Sequence, residues 1–268
     1  MVNFLFWNIN NNHSADIIAK IAKKHEIDII MLCECKSKSA DVLDKLNVHD
    51  AAFYPTNGLN KKIKVFTKFS NKFIKPIYEN RRLTIRHVSL PSRIDIILAV
   101  VHFPDMRNHN AESQFAESIN LGNTIRDQEK KIGHSRTLLV GDLNMNPFDP
   151  GVVAANGLHA VMTRSIANKG SRIVQETKYP FFYNPMWSLF GDGTRCTPGT
   201  YYYYHSEQVT LFWNIFDQVL IRPELLDKFN IHDVHIIDSD GDASLLSSDG
   251  SPNKSISDHL PILFKINL

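Results

Sequence analysis

Thr137-Leu138-Leu139-Val140-Gly141-Asp142-Leu143-Asn144 is the stretch that decides how the rest of the chain reads. An apolar run that breaks at glycine and is followed by two polar side chains able to hold a metal or a water reads as a buried strand ending in a site. On an extended chain side-chain direction repeats every second residue. Asp142 and Asn144 therefore face one way and can share one cleft. Gly-Asp also begins ordinary turns, so the stretch gains its weight from recurrence elsewhere.

It does recur. Val2 to Trp7 runs into Asn8 and Asn10, and Ile27 to Leu32, interrupted by Asp28, runs into Glu34. Ile94 to Val101, with Asp95 near its start, runs into His102. Phe216-Asp217-Gln218-Val219-Leu220-Ile221 places an acid at a strand start, and Ser257-Asp258-His259-Leu260-Pro261 places an acid–base pair before the last apolar run. Singly, each has a plain explanation as a cap, a turn, a surface acid or a structural histidine. Jointly they do not, because strand ends at one sheet edge converge and sites are built there.

The coarse pass predicts strands near 2–8, 27–33, 62–68, 71–77, 82–89, 94–102, 136–142, 214–221, 230–237 and 260–267. Asn12 or Ser14 can cap a helix to about Lys24, and Ser37 or Ser39 one to about Leu46. Asn110 can begin a long helix to about Lys131, with Phe115, Ile119, Leu121, Ile125 and Ile132 as its apolar stripe. Residues 164–212 show little periodicity but many rings, from Tyr179 through Tyr201–Tyr204 to Trp213. Base stacking on such rings is one reading, and a loop pinned by its own aromatics is the other.

Composition bounds the class. A chain of 268 residues, 43% apolar and 22% charged, is ample for a sizeable core and fits one enzyme domain over 1–268. No segment reaches the roughly 18 uninterrupted apolar residues of a membrane span. No secretory signal is visible at the N-terminus, and Cys33, Cys35 and Cys196 form no disulfide framework, so free thiols in a cytoplasmic setting are expected. Net charge is only +2, but between Lys61 and Arg93 ten Lys and Arg residues are opposed by Glu79 alone. That interval reads either as an edge-protecting lysine face or as a rim drawing in a phosphodiester backbone by counterion release.

Taken in order, Trp7-Asn8-Ile9-Asn10, Cys33-Glu34, Val101-His102-Phe103-Pro104, Gly141-Asp142-Leu143-Asn144, Phe216-Asp217-Gln218 and Ser257-Asp258-His259-Leu260-Pro261 resemble the endonuclease/exonuclease/phosphatase superfamily of DNase I-like proteins. The Gly-Asp-Leu-Asn and Ser-Asp-His-Leu-Pro elements are the specific ones. The resemblance implies an α/β fold, a four-layer sandwich of two mixed β-sheets face to face with helices on the outside. It implies metal-dependent hydrolysis of a phosphoester, with Glu34 the principal metal ligand, Asn8 and Asp258 nearby, and Asn10 a secondary one. Asp142 would orient or deprotonate the attacking water, and Asn144 would hold phosphate or water. His259 would bind phosphoryl oxygen or transfer a proton, oriented by Asp217, and His102 would help bind or protonate the phosphate. Arg86, with Arg82 competing, would reach the substrate, and Trp213 is a further candidate for substrate contact.

Oxygen ligands without a Cys/His cluster favour Mg²⁺ or Mn²⁺ over zinc. A nuclease acting on DNA or RNA is the leading expectation. A phosphomonoesterase or phospholipase of the same fold comes second. A catalytically silent binding module comes third, disfavoured because Glu34, Asp142 and His259 are all present. Oligomeric state stays open.

Overall fold

The computed structural model describes residues 1–48, 52–105, 109–193, 197–206 and 208–268, so Cys196 lies outside the described residues. Two mixed sheets form its centre. One has six strands, in the order Val234–Ile236, Ile262–Ile266, Val2–Asn8, Ile29–Cys33, Ile63–Thr67 and Tyr54–Pro55. The other has seven, in the order Ile74–Glu79, Leu83–Val88, Ile96–His102, Thr137–Asp142, Asp217–Ile221, Phe182–Tyr183 and Ala160–Val161. Val2–Asn8 runs parallel to Ile29–Cys33, and Ile96–His102 parallel to Thr137–Asp142, while most other pairings are antiparallel.

The near-continuous apolar strands explain why layers form. Every residue of Ile96–His102 is buried, as expected of a strand covered on both faces. Alternate side chains enter different cores: Leu98 and Val100, with Leu138, Val140, Val219 and Ile221, join the cluster shared with the six-stranded sheet. Ile97, Ala99 and Val101, with Leu139 and Leu220, join a second cluster containing Leu121 and Ile125 of the long helix Ala111–Ile132. The period of two in a pleated strand is the physical source of this split. The helices Ala15–Lys24 and Ser39–Leu46 bring Ile18, Ile21 and Val42 into the first cluster.

The long helix departs from its predicted stripe. Asn110 caps it, its side chain accepting from the Ser113 N–H at 2.8 Å, and Gly133 ends it in the left-handed conformation at φ 87°. Its buried face, however, includes Gln114, Ser118, Gln128 and Glu129, while Phe115 and Ile119 are only half-buried. Burial of Gln114, Ser118 and Glu129 is tolerated because their partners are supplied. Glu129 takes the buried Arg222 guanidinium at 2.8 and 3.2 Å and the Thr137 hydroxyl at 2.7 Å. Gln114 donates to the carbonyls of Pro104 and Asn144 at 2.7 and 3.1 Å, bracing two loops that leave the sheet edge.

The described residues of 164–212 contain regular structure that the sequence does not announce. Ser171–Val174 pairs with Thr177–Pro180, Phe182–Tyr183 enters the seven-stranded sheet, and Tyr201–Tyr203 pairs with Phe212–Asn214. Phe181, Phe182 and Tyr183 are buried. Strand 71–77 shifts to Ile74–Glu79 behind a short 3₁₀ turn at Asn71–Phe73, and 230–237 shortens to Val234–Ile236.

Gly141 is where the fold leaves no choice of residue. A Cβ there would lie 1.9 Å from the Val101 carbonyl oxygen, at a φ of 153°, so the neighbouring strand itself would have to move. Gly141→Ala is therefore expected to lower unfolding free energy by about 3 kcal/mol or more, read by urea denaturation. A loss below about 1 kcal/mol would show that the strands yield there.

Candidate active site

Strand register gathers the polar ends. His102 pairs with Asp142 across parallel strands, and Asp142 with Asp217 across antiparallel ones. In the other sheet Asn8 pairs with Cys33, one residue before Glu34. Phe6 pairs with Ile262, so Asp258 and His259, just upstream, come to the same edge as Asn8. Chain direction after these ends turns abruptly: Asn10, Asn11, Glu34 and Asn144 all have left-handed φ, at 45°, 59°, 50° and 48°. Asparagine tolerates this conformation, but for glutamate it stores strain on the order of 1–2 kcal/mol, which surrounding structure must hold in place.

Asp142 is enclosed, 1% exposed, yet lines the cavity. One oxygen accepts the Asn144 N–H at 2.8 Å, and the other accepts Nδ2 of Asn8 at 2.9 Å and Nδ2 of Asn144 at 3.3 Å. Asn8 in turn takes the Asn10 N–H on its Oδ1 at 3.0 Å. Glu34 Oε2 accepts Asn11 Nδ2 at 2.7 Å, and its Oε1 meets His102 Nε2 at 3.0 Å. His259 Nδ1 contacts Asp217 Oδ2 at 2.8 Å, leaving Nε2 facing Asp142 and Asp258 at 4.0 and 3.9 Å. Ser257 fixes this last segment, its hydroxyl donating to the Asn8 carbonyl at 2.7 Å and accepting the His259 N–H at 3.1 Å.

These environments drive the titrating groups apart. The His102 hydrogen bond holds Glu34 below the usual glutamate value despite partial burial. Burial raises Asp142, and the neighbouring Asp217 adds to that while His259 and His102 oppose it. Burial also raises Asp258. For His259 burial disfavours the cation, yet Asp217 and Asp142 together push the ring up to about 10. The centre thus holds a cationic imidazole donor beside carboxylates of unequal basicity, the pattern by which environment divides acid and base roles.

The side chains on the Glu34 side are oxygen-bearing, the kind of ligand a hard divalent ion takes. Glu34, Asp258, Asn8 and Asn10 line one cavity of about 610 Å³ with Asp142, Asn144, His102 and His259. Asp258 Oδ1 is buried without a hydrogen-bond partner, a group that only a cation or a donor from outside would satisfy. The ligand atoms of Asp142, Asp217 and His259 also lie within 4.8 Å of one another. There the His259–Asp217 contact is already a good hydrogen bond, and the carboxamide and carboxylate oxygens beside Glu34 better match a hard ion.

Not every expected residue arrives. Arg86 is 2% exposed and turned inward, Nη1 donating to the Asn57 carbonyl at 2.6 Å and Nη2 pairing with Glu79 at 3.3 Å. Arg82 brings only its main chain close, its carbonyl accepting the His102 N–H at 2.9 Å, and its side chain is not on the cavity wall. Trp213 lies edge-on to Tyr202 at 5.3 Å, and strand alternation puts its neighbour Asn214, not Trp213, on the wall. Asn144 directs its amide hydrogens to the Phe103 carbonyl and Asp142, so it braces the acid. Within the basic interval Lys64 donates to the Cys35 carbonyl at 2.9 Å and Lys68 pairs with Asp28 at 3.6 Å, whereas the charge of Lys62 helps hold Glu34 low.

Sequence reasoning passed over several members. Tyr201 lies 4.7 Å from the His259 ring and stacks on Phe216 at 5.2 Å. Thr200 receives the Asp217 N–H on its hydroxyl at 3.2 Å and the Leu260 N–H on its carbonyl at 2.7 Å. Asp105 and Asn214 also line the cavity. The aromatic run 201–204 was the only available signal, and it did not say which ring faces the site.

Residues 5–259 match the Endonuclease/Exonuclease/phosphatase family, and the chain belongs to it. Solved structures of the same fold include truncated TDP2 from Caenorhabditis elegans, 17% identical with a TM-score of 0.59, covering 98% of this chain and 97% of that one. An AP endonuclease from Archaeoglobus fulgidus is 13% identical with a TM-score of 0.57 over 100% of both chains. The 3′ phosphatase NExo from Neisseria, bound to product DNA hairpin, is 13% identical with a TM-score of 0.59 over 100% of both. No curated protein matches the chain.

Two outcomes are expected. With EDTA present, His259 stabilises the fold fully below the free-imidazole value of 6.5, and the contribution is lost as pH rises toward about 10. Urea-unfolding free energy should fall across that window, less steeply in Asp217→Asn, and equal slopes in the two proteins would mean that His259 is not held as a cation. Arg86→Ala should cost about 2 kcal/mol of stability while leaving KM unchanged. A raised KM in an equally stable variant would put Arg86 back at the substrate.

Proposed function

We propose that this chain is a divalent-metal-dependent phosphoester hydrolase, acting first on nucleic-acid phosphodiesters. The observation that carries the reading is the enclosed Asp142 carboxylate, held by Asn8 and Asn144 on the wall of a cavity that His259, Glu34 and Asp258 also line. Asp142 orients the attacking water and takes its proton, its raised basicity suiting that task. His259, cationic and fixed through Nδ1 by Asp217, donates from Nε2 to a phosphoryl oxygen as charge grows there. His102 holds Nε2 between Glu34 at 3.0 Å and Asp142 at 3.8 Å on the same cavity wall, and would assist at the phosphate when Glu34 turns to the metal. Glu34 and Asp258, with the Asn8 and Asn10 side chains nearby, would hold Mg²⁺ or Mn²⁺, which when bound neutralises phosphate charge.

The likeness to NExo, a 3′ phosphatase bound to product DNA hairpin, supports phosphoester chemistry on DNA. A second reading has its own observation: among the described residues no Lys or Arg lines the cavity, whereas Tyr201, Tyr203, Val209, Leu211 and Phe216 do. That wall would also receive a small phosphomonoester or a lipid headgroup. We place the whole of 1–268 in one catalytic domain, and the compartment we propose is cytoplasmic.

Single- and double-stranded DNA, RNA, inositol phosphates and sphingomyelin, each assayed with Mg²⁺, Mn²⁺ or EDTA, separate these readings. Strand cleavage supports the nuclease, whereas released inorganic phosphate or phosphocholine as the sole product would replace it with the second reading. Asp142→Asn, Glu34→Ala and His259→Ala should each cut turnover by at least ~100-fold with the fold intact. Near-normal hydrolysis by folded Asp142→Asn would remove the water-activating role.

A further inference from the structure

A second group of metal-capable side chains lies at the opposite edge of the seven-stranded sheet. His87 sits on Leu83–Val88, Asp95 immediately precedes Ile96–His102, and His134 stands between the long helix and Thr137–Asp142. The last two strands run parallel from this cluster to His102 and Asp142 at the catalytic edge, about 20 Å away at the rise of an extended chain. The two groups are therefore independent.

Both imidazoles aim Nε2 at one carboxylate oxygen: His87 meets Asp95 Oδ2 at 2.8 Å and His134 meets it at 3.1 Å. The three ligand atoms all lie within 4.8 Å of one another, a spacing that a cation bonded at about 2.0–2.2 Å to each would span. The carboxylate is braced from behind, since the Arg136 guanidinium binds Asp95 Oδ1 and its Nε donates to the Asp95 carbonyl at 2.7 Å. Such an outer contact orients a ligating carboxylate and leaves its other oxygen for the ion. His87 also borders a surface cavity of about 390 Å³, which gives an entry path.

One contact opposes occupancy. The Arg136 peptide N–H faces His134 Nδ1 at 3.2 Å, so the ion-free ring carries its proton on Nε2. Binding through Nε2 moves that proton to Nδ1 and opens this long contact, while the ring keeps its neutral charge.

We propose that His87, Asp95 and His134 form a second metal site that takes one borderline transition-metal cation, zinc above all, and ties three chain segments together at the edge remote from catalysis. Two imidazoles and one carboxylate select zinc or cobalt, in contrast to the oxygen ligands around Glu34, which select a hard ion. Three protein ligands leave the fourth position to a water from the adjoining cavity.

The test uses the full chain, stripped with EDTA and then saturated with Mg²⁺ to fill the oxygen-lined centre. Titration with ZnCl₂ should show one tight equivalent and raise the unfolding midpoint by roughly 5 °C. His87→Ala and His134→Ala should lose both effects and keep the Mg²⁺-dependent turnover of the wild type. Should those variants fail to fold, Co²⁺ added to the wild type decides the matter through its visible absorption. Strong bands of four-coordinate, imidazole-bound cobalt support the site, and weak bands typical of oxygen ligation overturn it. Equal zinc uptake by the variants, or no uptake by the wild type under Mg²⁺, would also overturn it and leave the cluster a hydrogen-bonded clamp.

Discussion

The hydrogen bond from Asn8 to Asp142, 2.9 Å long and buried, joins the ends of two strands that belong to different sheets. That joint ties together the two sheet edges that line the cavity. The two sheets share one core, so sliding either relative to the other would break interdigitated packing along Val2–Asn8 and Thr137–Asp142. Asp142 cannot shift alone either, because Gly141 lies against the Val101 carbonyl and Asn144 holds the carboxylate from the other side. An acid so fixed has no reorganisation left to undergo when charge develops nearby, which is the condition for electrostatic catalysis.

Around the joint, neighbours assign character to groups that are chemically alike. Glu34, Asp142, Asp217 and Asp258 are all carboxylates on or behind one cavity wall. Contact with His102 keeps Glu34 acidic, while burial makes Asp142 and Asp258 more basic. Asp217, fully buried behind His259, sustains the imidazolium. The left-handed backbone at Glu34 belongs to the same picture, since a strained turn is what brings its carboxylate round to His102.

Much of this was legible in the sequence because strand endings are local signals. The run Thr137–Val140 closed by Gly141, the acid starting Asp217–Ile221 and the Asp258-His259 pair each announce an edge, and register converts edges into a site. What escaped depends on tertiary choice. Arg86 reads as a cation on a basic strand, but Glu79, Asn57 and the nearby Gly58 turn it inward. Trp213 and Tyr201 are alike in composition, and only the pairing of Tyr201–Tyr203 with Phe212–Asn214 decides which ring sees the cavity. The helix Ala111–Ile132 hid its buried polar face because Gln114 and Glu129 also find partners far along the chain, at Asn144 and Arg222. The His87, Asp95 and His134 group likewise comes from three separate segments and leaves no motif.

Anomalous scattering from a crystal soaked in Mn²⁺ at neutral pH, with a non-hydrolysable phosphodiester present, addresses the central claim most directly. A single convergent centre predicts manganese density bonded to Glu34 at about 2.0–2.2 Å, beside Asp258, with the phosphate between it and His259 and a water on Asp142. Manganese bound away from Glu34, or a phosphate seated beyond reach of both His259 and Asp142, would contradict it.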